Sequence, residues 1–366
     1  MPTEAKRITS TLSADGKLTV QVEDFTLPDP KGTQIVVAIE AAPINPSDLG
    51  LLLGPADLDA ATYSPGKLVA PMPAAAMKAF KGRIGDVCPV GNEGAGTVVA
   101  AGPDAQHLMG KKVTIVPGSA FATHAIGDAS MAIQWPDDVN IANASAAFVN
   151  PMTALGFVET ARMEGHKAII HAAAASNLGQ MLNKICQADG MGLVNIVRRE
   201  KQARLLKDLG AEHVVNSSDD DFMKQLVGAI DATGAMLGFD PTGGGTMANT
   251  MLTAMEAVCA KNEAYSRYGS MTPKKVYVYG ILDLSPRVMT HSYGFSWTLS
   301  GWLLTPFLMQ AGAEVVGRMR QRVIDEIDTT FASHFKQEIT LEEMLQEDIA
   351  NAYNAKATGE KYLVTP

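Results

Sequence analysis

From residue 167 onward, short apolar runs of strand length alternate with longer segments in which apolar residues recur every three or four positions. The strand-like runs are KAIIHAA, GLVNIVRR, AEHVVN, AMLGFD and KKVYVYG. The helical segments between them are NLGQMLNKICQADG, EKQARLLKDLG, DDFMKQLVGAI and MANTMLTAMEAV. Gly190 and Gly210 stand where the first two helices should end. Such alternation is typical of a parallel sheet wound by right-handed crossovers, so we predict a doubly wound α/β domain here.

The first 150 residues have a different pattern, with period-two or continuous apolar runs separated by proline and glycine. The predicted strands lie in KLTVQVEDF, GTQIVVAIEAAPI, GNEGAGTVVAAG and GKKVTIVPG. Residues 54–90 are rich in Pro, Gly and Ala without a clear period, which is long for a plain loop and predicts a functional cover or a mobile insertion. The tail beyond about residue 306 contains helical segments and ends in a predicted strand within ATGEKYLVTP.

Composition narrows the class of protein. With 366 residues and 46% hydrophobic residues, the chain can bury the cores of two domains. A net charge of −9 argues against general nucleic-acid binding, and the longest apolar stretch, 297–309, is too short and too interrupted to span a membrane. The N-terminus lacks the apolar core of a signal peptide, and the three cysteines are too far apart to indicate a disulfide framework or a zinc lobe. We therefore expect a cytoplasmic protein without nucleic-acid or membrane partners.

The stretch AIIHAAAASNLGQMLNKI, residues 168–185, has the position of a dinucleotide-binding turn but keeps one glycine of the usual three. Small residues occupy the other two places, so the backbone can still approach a phosphate. We expect the pyrophosphate at the N-terminus of the following helix, with Asn177 in the positive-φ conformation that asparagine tolerates. The alternative is an ordinary connection whose small residues only let helix and strand pack. The expected coenzyme contacts are Ala174, Ser176, Asn177, Leu178 and Gly179.

The next predicted strand ends at Arg198 and Arg199, roughly twenty residues past the turn, where NAD-binding chains have a carboxylate for the adenine ribose. No Asp or Glu stands at the end of this strand. Guanidinium groups suit a 2′-phosphate because each makes forked, charge-assisted hydrogen bonds. The pair therefore predicts NADPH as the coenzyme; the alternative is two solvated surface arginines.

Several motifs, in this order, resemble the zinc-independent branch of the medium-chain dehydrogenase/reductase superfamily. They are AAPINPSDLGLLLG, VGNEGAGTVVAAG, NPMTALGF and NIVRREKQARLLKDLGAEHVV. The chain is similar to the quinone oxidoreductases and to the mitochondrial-type 2-enoyl thioester reductases of that branch. The resemblance implies a GroES-like, β-rich catalytic domain from residues 1–149 and 306–366, and a Rossmann NADPH-binding domain over residues 150–305.

The resemblance also implies site residues. Asn45, Asn150 and Thr153 match residues that line the nicotinamide pocket, Asn45 also being a catalytic candidate, and Gly280 matches a close backbone approach to the nicotinamide. The segment FSWTLSGWLL is similar to one often found near a subunit interface, so we expect a homodimer.

Two departures from the family bear on the chemistry. The zinc-dependent branch has Gly-His-Glu where this chain has Gly91, Asn92 and Glu93, and it has a cysteine near INPSD where this chain has none. Tetrahedral zinc is left with too few ligands, and we predict no metal. The enoyl thioester reductases have a catalytic tyrosine shortly after this motif, whereas Tyr63 is displaced by several residues. Tyr63 is thus either the proton donor or a loop aromatic.

These observations favour an NADPH-dependent reductase whose partner is a small quinone or α,β-unsaturated carbonyl compound. A nicotinamide can pass hydride to such an acceptor without a metal when the acceptor oxygen is hydrogen-bonded as charge develops there. A 2-enoyl thioester (CoA or acyl-carrier-protein) reductase is a second reading, and a non-catalytic NADPH-binding protein is a third. The scattered histidines are expected to be structural, and His171, beside the coenzyme turn, is the one whose position warrants mutation.

Overall fold

The computed structural model describes residues 3–359 and 361–366; residues 1, 2 and 360, which the predicted catalytic domain includes, lie outside the described residues. Short 3₁₀ turns occur at Lys81–Arg83, Pro103–Leu108 and Glu343–Leu345. The helices and strands are β1 (Thr3–Leu12), β2 (Lys17–Leu27), β3 (Gln34–Pro43), α1 (Pro46–Leu52), β4 (Thr62–Ser64), β5 (Lys67–Pro71), α2 (Ala74–Ala79), β6 (Val87–Pro89), β7 (Gly94–Ala101), β8 (Lys112–Ile115), β9 (His124–Asp128), β10 (Ile133–Gln134), α3 (Ile141–Ser145), α4 (Val149–Met163), β11 (Ala168–Ala172), α5 (Asn177–Asp189), β12 (Gly192–Val197), α6 (Glu200–Asp208), β13 (His213–Asn216), α7 (Phe222–Thr233), β14 (Leu237–Asp240), α8 (Met247–Asn262), β15 (Lys274–Val278), β16 (Trp297–Gly301), α9 (Leu304–Asp325), β17 (Gln337–Ile339), α10 (Glu347–Asn354) and β18 (Tyr362–Val364).

The chain divides into two compact units. Unit 1 comprises Met1–Val149 and Arg322–Pro366, and unit 2 comprises Asn150–Gln321. The predicted return to the first domain at residue 306 falls near the start of α9, whereas the division falls later in the same helix. Both chain ends contribute to unit 1 because β18 lies antiparallel to β3, with Val364 opposite Ala42.

Unit 1 contains two sheets. One has the strand order β4-β5-β2-β1-β6, and the other has the order β10-β8-β7-β3-β18-β17, with β9 also paired to β3. The period-two pattern of the first half explains this architecture, since alternate residues such as Leu18, Val20, Ile35 and Val37 are fully buried in one core. The predicted strands in this half are confirmed within one to three residues at each end.

The expectation of a mobile insertion over residues 54–90 is wrong, whereas a role of this stretch as a functional cover stays a prediction. The stretch contains β4, β5, α2 and β6, and its strands belong to the first sheet of unit 1. Val20 pairs with Leu68 across β2 and β5, and Leu68 and Ala70 are fully buried. Strands of three to five residues are too short for a visible period, so the partner strand β2 decides their conformation.

Unit 2 contains a parallel sheet with the strand order β13-β12-β11-β14-β15-β16. The predicted α/β fold class is confirmed, and the crossover helices lie between successive strands as the sequence pattern indicates. Gly190 and Gly210 end α5 and α6 in the left-handed conformation, with φ of 63° and 79°. The strand β16 was not predicted, because WTLSG is too short and mixed to stand out. Over the described residues, no helix combines the length and apolarity needed to cross a membrane.

Candidate active site

The turn between β11 and α5 is built for close backbone packing. Ser176 is the N-cap of α5, and its Oγ accepts a hydrogen bond of 3.1 Å from the N–H of Gly179. A Cβ at position 179 would lie 2.1 Å from the carbonyl oxygen of Ala174, so only glycine fits there. The retained glycine is thus the one that lets the helix approach the turn, and the buried Ala174 forms the opposing surface.

The strained residue of this turn is Ala173, with φ of 51°, and the expectation that Asn177 takes this conformation is wrong. Asn177 is the first residue of α5 and must adopt the right-handed helical conformation. The chain reverses its direction directly after β11, three residues before the N-cap, so the left-handed conformation falls on an alanine. Such a conformation costs about 1–3 kcal/mol for a non-glycine residue and is frequent at functional sites.

Arg198 and Arg199 directly follow β12, the strand beside β11. Both side chains are exposed, and over the described residues neither guanidinium has a carboxylate within 4.0 Å. The backbone is fixed, because the Arg198 N–H donates to the Gln202 side chain at 3.1 Å and its carbonyl accepts from Ser218 Oγ at 2.8 Å. Two exposed guanidinium groups therefore follow the strand adjacent to the turn, and one of them stands on a hydrogen-bonded backbone.

A buried pair of side chains lies beneath this edge of the sheet. His171 of β11 is fully buried, and its Nε2 is 2.7 Å from the hydroxyl of Tyr279, which follows β15. Phe157 of α4 packs against Tyr279 with ring centroids 4.7 Å apart and against Phe239 of β14 at 4.0 Å. Burial lowers the pKa of His171 to about 3 and raises that of Tyr279 well above 10, so both groups are neutral near pH 7. The pair links β11 to β15 across the intervening β14.

The other predicted residues of unit 2 lie on α4 and after β15. Asn150 and Thr153 are buried in the first turns of α4, three residues apart and therefore on one face of the helix. Gly280 packs against the segment after β14, since a Cβ there would lie 2.6 Å from the carbonyl oxygen of Pro241. Close approach at Gly280 is therefore required by the fold itself, independently of any ligand.

In unit 1, Asn45 belongs to a buried polar network. It is the N-cap of α1, and its N–H donates to the Asp48 carboxylate at 2.8 Å. Its side-chain amide donates to Glu93 at 2.9 Å, and the other Glu93 oxygen accepts the N–H groups of Phe148 and Val149, each at 2.9 Å. Glu93 is fully buried. It therefore fixes both the Asn45 side chain and the start of α4.

The charges of this network depend on Lys361, whose buried ammonium has no hydrogen-bond partner in the part of the chain that the structure describes. Burial raises the pKa of Glu93 and raises that of Asp48 to about 7, while the lysine charge lowers both. Burial lowers the pKa of Lys361 to about 8, against the pull of the two carboxylates. The carboxyl-terminal segment thus supplies the counter-charge for the groups that hold Asn45 in place.

Tyr63 lies elsewhere in unit 1, in β4. Its hydroxyl donates to the carbonyl of Leu58 at 3.2 Å. Burial, together with the charges of Glu347 and Asp59, raises its pKa, so the group stays protonated at neutral pH. Its hydrogen bond belongs to the β4 region and is separate from the network of Asn45 and Glu93.

The fold of this chain is similar to the folds of known dehydrogenases and reductases. A family model described as zinc-binding dehydrogenase matches residues 178–262, which lie in unit 2. A Mesorhizobium loti protein assigned as an NADPH:quinone reductase superposes over 100% of this chain and 99% of its own, with a TM-score of 0.75 and 23% identity. Etr1p, in a complex with NADP and crotonyl-CoA, superposes over 100% of both chains with a TM-score of 0.69 and 19% identity.

Curated sequences give a second comparison. Human mitochondrial enoyl-[acyl-carrier-protein] reductase is 28% identical over 209 residues, which cover 55% of this chain and 49% of the human protein. The Xenopus tropicalis enzyme of the same name is 31% identical over 209 residues, covering 54% and 51%. The chain thus spans about half the length of the curated relatives it matches.

The predicted resemblance to the quinone and enoyl reductases of the medium-chain dehydrogenase/reductase superfamily is confirmed. The zinc-binding description of the matching family model concerns residues of unit 2 alone, and Asn92 and Glu93 lie outside the matched range. In this chain, the Asn92 side-chain amide donates to Ser47 at 2.9 Å and the Asn92 backbone N–H donates to Asp48 at 2.7 Å. Asn92, which stands where the zinc-dependent branch has a histidine, is therefore hydrogen-bonded to two residues of the INPSD motif.

Sequence reasoning missed Asp48, Lys361 and Tyr279 as members of the site. Asp48 had a detectable signal, because Asn45 followed by an acidic residue three positions later is the pattern of a capping box. Lys361 and Tyr279 had none, since each meets its partner only through strand pairing of distant segments.

We expect His171 to make stability depend on pH. The folded-state pKa of about 3 lies below the unfolded value of 6.5, so the unfolded chain binds more protons between these values. The free energy of unfolding should therefore fall as pH is lowered below about 6.5, by up to about 1.4 kcal/mol per pH unit from this group. Urea titrations at about pH 7.5, 6 and 5 measure the slope, which His171→Gln should reduce. The exposed His107→Gln is the control, and an unchanged slope in His171→Gln would contradict the assignment.

Proposed function

We propose that the protein is an NADPH-dependent reductase that delivers hydride to a quinone or an α,β-unsaturated carbonyl compound without zinc. The proposal depends chiefly on one observation: Arg198 and Arg199 are exposed and unpaired on the strand next to the turn after β11. Guanidinium groups at this place suit a 2′-phosphate, because each can make forked, charge-assisted hydrogen bonds to it. The similar structures named NADPH:quinone reductase and the Etr1p complex with NADP support the same reading.

The turn fits a dinucleotide. Gly179 and Ala174 leave no side chain in the way of a phosphate, and the first turn of α5 offers main-chain N–H groups of the kind that bind anions. We assign the pyrophosphate to this turn, including Ser176, Asn177 and Leu178, and the 2′-phosphate to Arg198 and Arg199. NADPH, when bound, supplies a hydride to an electron-poor carbon.

The residues of the chain must position the nicotinamide, stabilise charge on the acceptor oxygen and supply a proton. Asn150, Thr153 and Gly280 are the residues of unit 2 that we assign to the nicotinamide end, and the resemblance adds Asn45 from unit 1. Glu93 already orients the Asn45 amide, so binding a ligand through this amide costs little further loss of side-chain entropy. Hydrogen-bond donors must stabilise charge on the acceptor oxygen, and a proton must follow. We propose Tyr63, protonated at neutral pH, as the donor.

A 2-enoyl thioester reductase is the second candidate function. The observation that favours it is the group of curated relatives, which are mitochondrial enoyl-[acyl-carrier-protein] reductases. The displaced Tyr63 favours the quinone or enone acceptor, because a tyrosine in β4 does not occupy the place of the catalytic tyrosine that the resemblance leads one to expect.

We further propose a homodimer formed through β16. This strand is the edge of the sheet in unit 2, and in the described residues its outer side has no neighbouring strand. Large apolar side chains shortly before and after it in the chain are exposed, with Phe295 81%, Leu303 65% and Met309 79% exposed. An exposed apolar edge favours association.

The acceptor class is decided by measuring NADPH oxidation with matched quinones, enones and enoyl thioesters, with and without a chelator. We expect turnover with quinones or enones, insensitive to the chelator. Tyr63→Phe should lower turnover by about a hundredfold, the usual contribution of a general acid. The exposed Tyr265→Phe is the control. Turnover of enoyl thioesters alone would favour the second candidate function, and NADPH binding without turnover of any acceptor would indicate a non-catalytic protein. An unchanged turnover rate in Tyr63→Phe would exclude Tyr63 as the proton donor.

Coenzyme selectivity tests the arginine pair. Each charge-assisted contact with a 2′-phosphate contributes about 1.5–3 kcal/mol, or roughly ten- to a hundredfold in affinity. The double variant Arg198→Ala/Arg199→Ala should therefore lose most of the preference for NADPH while NADH binds as before. Dissociation constants from nucleotide fluorescence measure this, with Arg204→Ala, an arginine of α6 paired with Glu200, as control. Equal weakening of both coenzymes would show that the arginines support the fold, and equal wild-type affinities would refute the proposal.

The dimer is tested by sedimentation velocity at micromolar concentration. We expect a dimer for the wild-type protein and a monomer for Leu303→Asp, because the new carboxylate would be buried in the interface. Met163→Asp, at a position 52% exposed on α4, is the control and should leave the dimer intact. A monomeric wild-type protein would contradict the proposal.

A further inference from the structure

A pocket of about 400 Å³ opens at the carboxyl ends of β15 and β16 in unit 2. Val278, Ile281 and Leu299 form its apolar walls, Ser300 and Arg287 are polar side chains, and Tyr279, Gly280 and Gly301 complete the lining. Because Gly280 is assigned above to the nicotinamide, the pocket lies at the end of the coenzyme from which hydride leaves. Apolar walls with a few placed polar groups are the usual composition of a small-molecule site. Arg287 had no role in the sequence analysis, and the coenzyme assignment above does not use it.

The guanidinium of Arg287 is anchored by backbone. Its Nε donates to the carbonyl of Gly243 at 2.7 Å, and the neighbouring Val288 N–H donates to the carbonyl of Gly245 at 2.9 Å. The segments after β14 and β15 interlock so closely that a Cβ at Gly243 would lie 2.5 Å from the carbonyl oxygen of Gly280. The three consecutive glycines 243–245 are therefore needed to seat the segment that presents Arg287.

The terminal nitrogens of this guanidinium remain available. Over the described residues, no carboxylate lies within 4.0 Å of Arg287. The Arg287 charge acts to lower the pKa of Asp240, whose carboxylate already accepts the N–H of Thr242 at 2.8 Å. A guanidinium held at Nε and unpaired at its other nitrogens has the geometry that binds a carboxylate, sulfonate or phosphate in a forked manner.

The position of the pocket separates this anion from those of the coenzyme. Strand β15 is two places from β11 in the sheet, and β12 lies on the opposite side of β11. At about 4.8 Å per strand, β15 is roughly 10 Å from the turn assigned to the pyrophosphate. Both charged groups of the coenzyme are assigned to the β11 and β12 ends, and only its uncharged nicotinamide end is assigned beside this pocket, through Gly280. An anion at Arg287 therefore belongs to the acceptor, which must reach the nicotinamide to receive hydride.

We propose that Arg287 binds an anionic group of the acceptor, so that the preferred substrate is an acidic quinone or an unsaturated carbonyl compound with a carboxylate, sulfonate or phosphate. This inference rests on the reductase function proposed above. Arg287 is then a specificity-determining residue, in a pocket whose lining also includes the nicotinamide contact Gly280.

The experiment compares 1,4-naphthoquinone with its 2-sulfonate as acceptors for the wild-type protein, Arg287→Met and Arg287→Lys. In Arg287→Met, kcat/KM for the sulfonate should fall about ten- to a hundredfold, while that for the neutral quinone and the Kd for NADPH stay within about twofold. Arg287→Lys should retain part of the kcat/KM for the sulfonate that Arg287→Met loses, because lysine keeps the positive charge but cannot make the two parallel hydrogen bonds of a guanidinium. The matched control is Arg267→Met, because Arg267 is an exposed arginine that precedes the amino end of β15, whereas the pocket lies at the carboxyl end.

Equal loss with both quinones, or a tenfold rise in the Kd for NADPH, would overturn the proposal, since Arg287 would then support the fold or bind the coenzyme. If the wild-type protein reduces neither quinone, the reductase function fails separately. Calorimetric titration of the NADP⁺-loaded protein with the two quinones then decides the question for Arg287. Tighter binding of the sulfonate that is lost in Arg287→Met supports the site, and equal binding overturns it.

Discussion

The parallel direction of the strands in unit 2 is the constraint on which the candidate site depends. Each right-handed crossover returns the chain to the same edge, so the carboxyl ends of β12, β11, β14 and β15 lie side by side. The order of the sheet reverses direction at β11, where an open α/β sheet has its ligand crevice. The turn at residues 173–176, the arginines at 198–199, Gly280 and the pocket at β15 and β16 therefore share one edge, although they are far apart in the sequence.

Close backbone approach at this edge restricts the side chains. Gly179 meets Ala174, Gly243 meets Gly280, and Ala173 takes a left-handed conformation that the surrounding structure must hold in place. The neutral hydrogen bond between His171 and Tyr279, packed against aromatic rings, gives that rigidity without burying a charge. The small residues of the turn and the aromatic side chains around His171 and Tyr279 thus belong to the same edge of the sheet.

In unit 1, a buried polar network holds the side-chain amide of Asn45 in a fixed orientation inside a β-rich core. Glu93 accepts three N–H donors, and Lys361 supplies an opposite charge, since a buried carboxylate without partners would be costly. Asp48 fixes the N-cap of the helix that begins after Asn45. The family motif around INPSD is thus explained by local physics before any ligand is considered.

The sequence by itself determined the alternation of strands and helices in unit 2, the helix ends at Gly190 and Gly210, and the turn after β11. These features depend on residues within about ten positions of one another, where periodicity and capping decide the conformation. Only the tertiary structure decided that residues 54–90 form strands, that Ala173 rather than Asn177 is strained, and that Tyr279 reaches His171. The strands in residues 54–90 and the contact between Tyr279 and His171 depend on partner segments more than ten residues away. The strain at Ala173 depends on the exact place where the turn changes direction, and no local sequence pattern predicts either kind of feature.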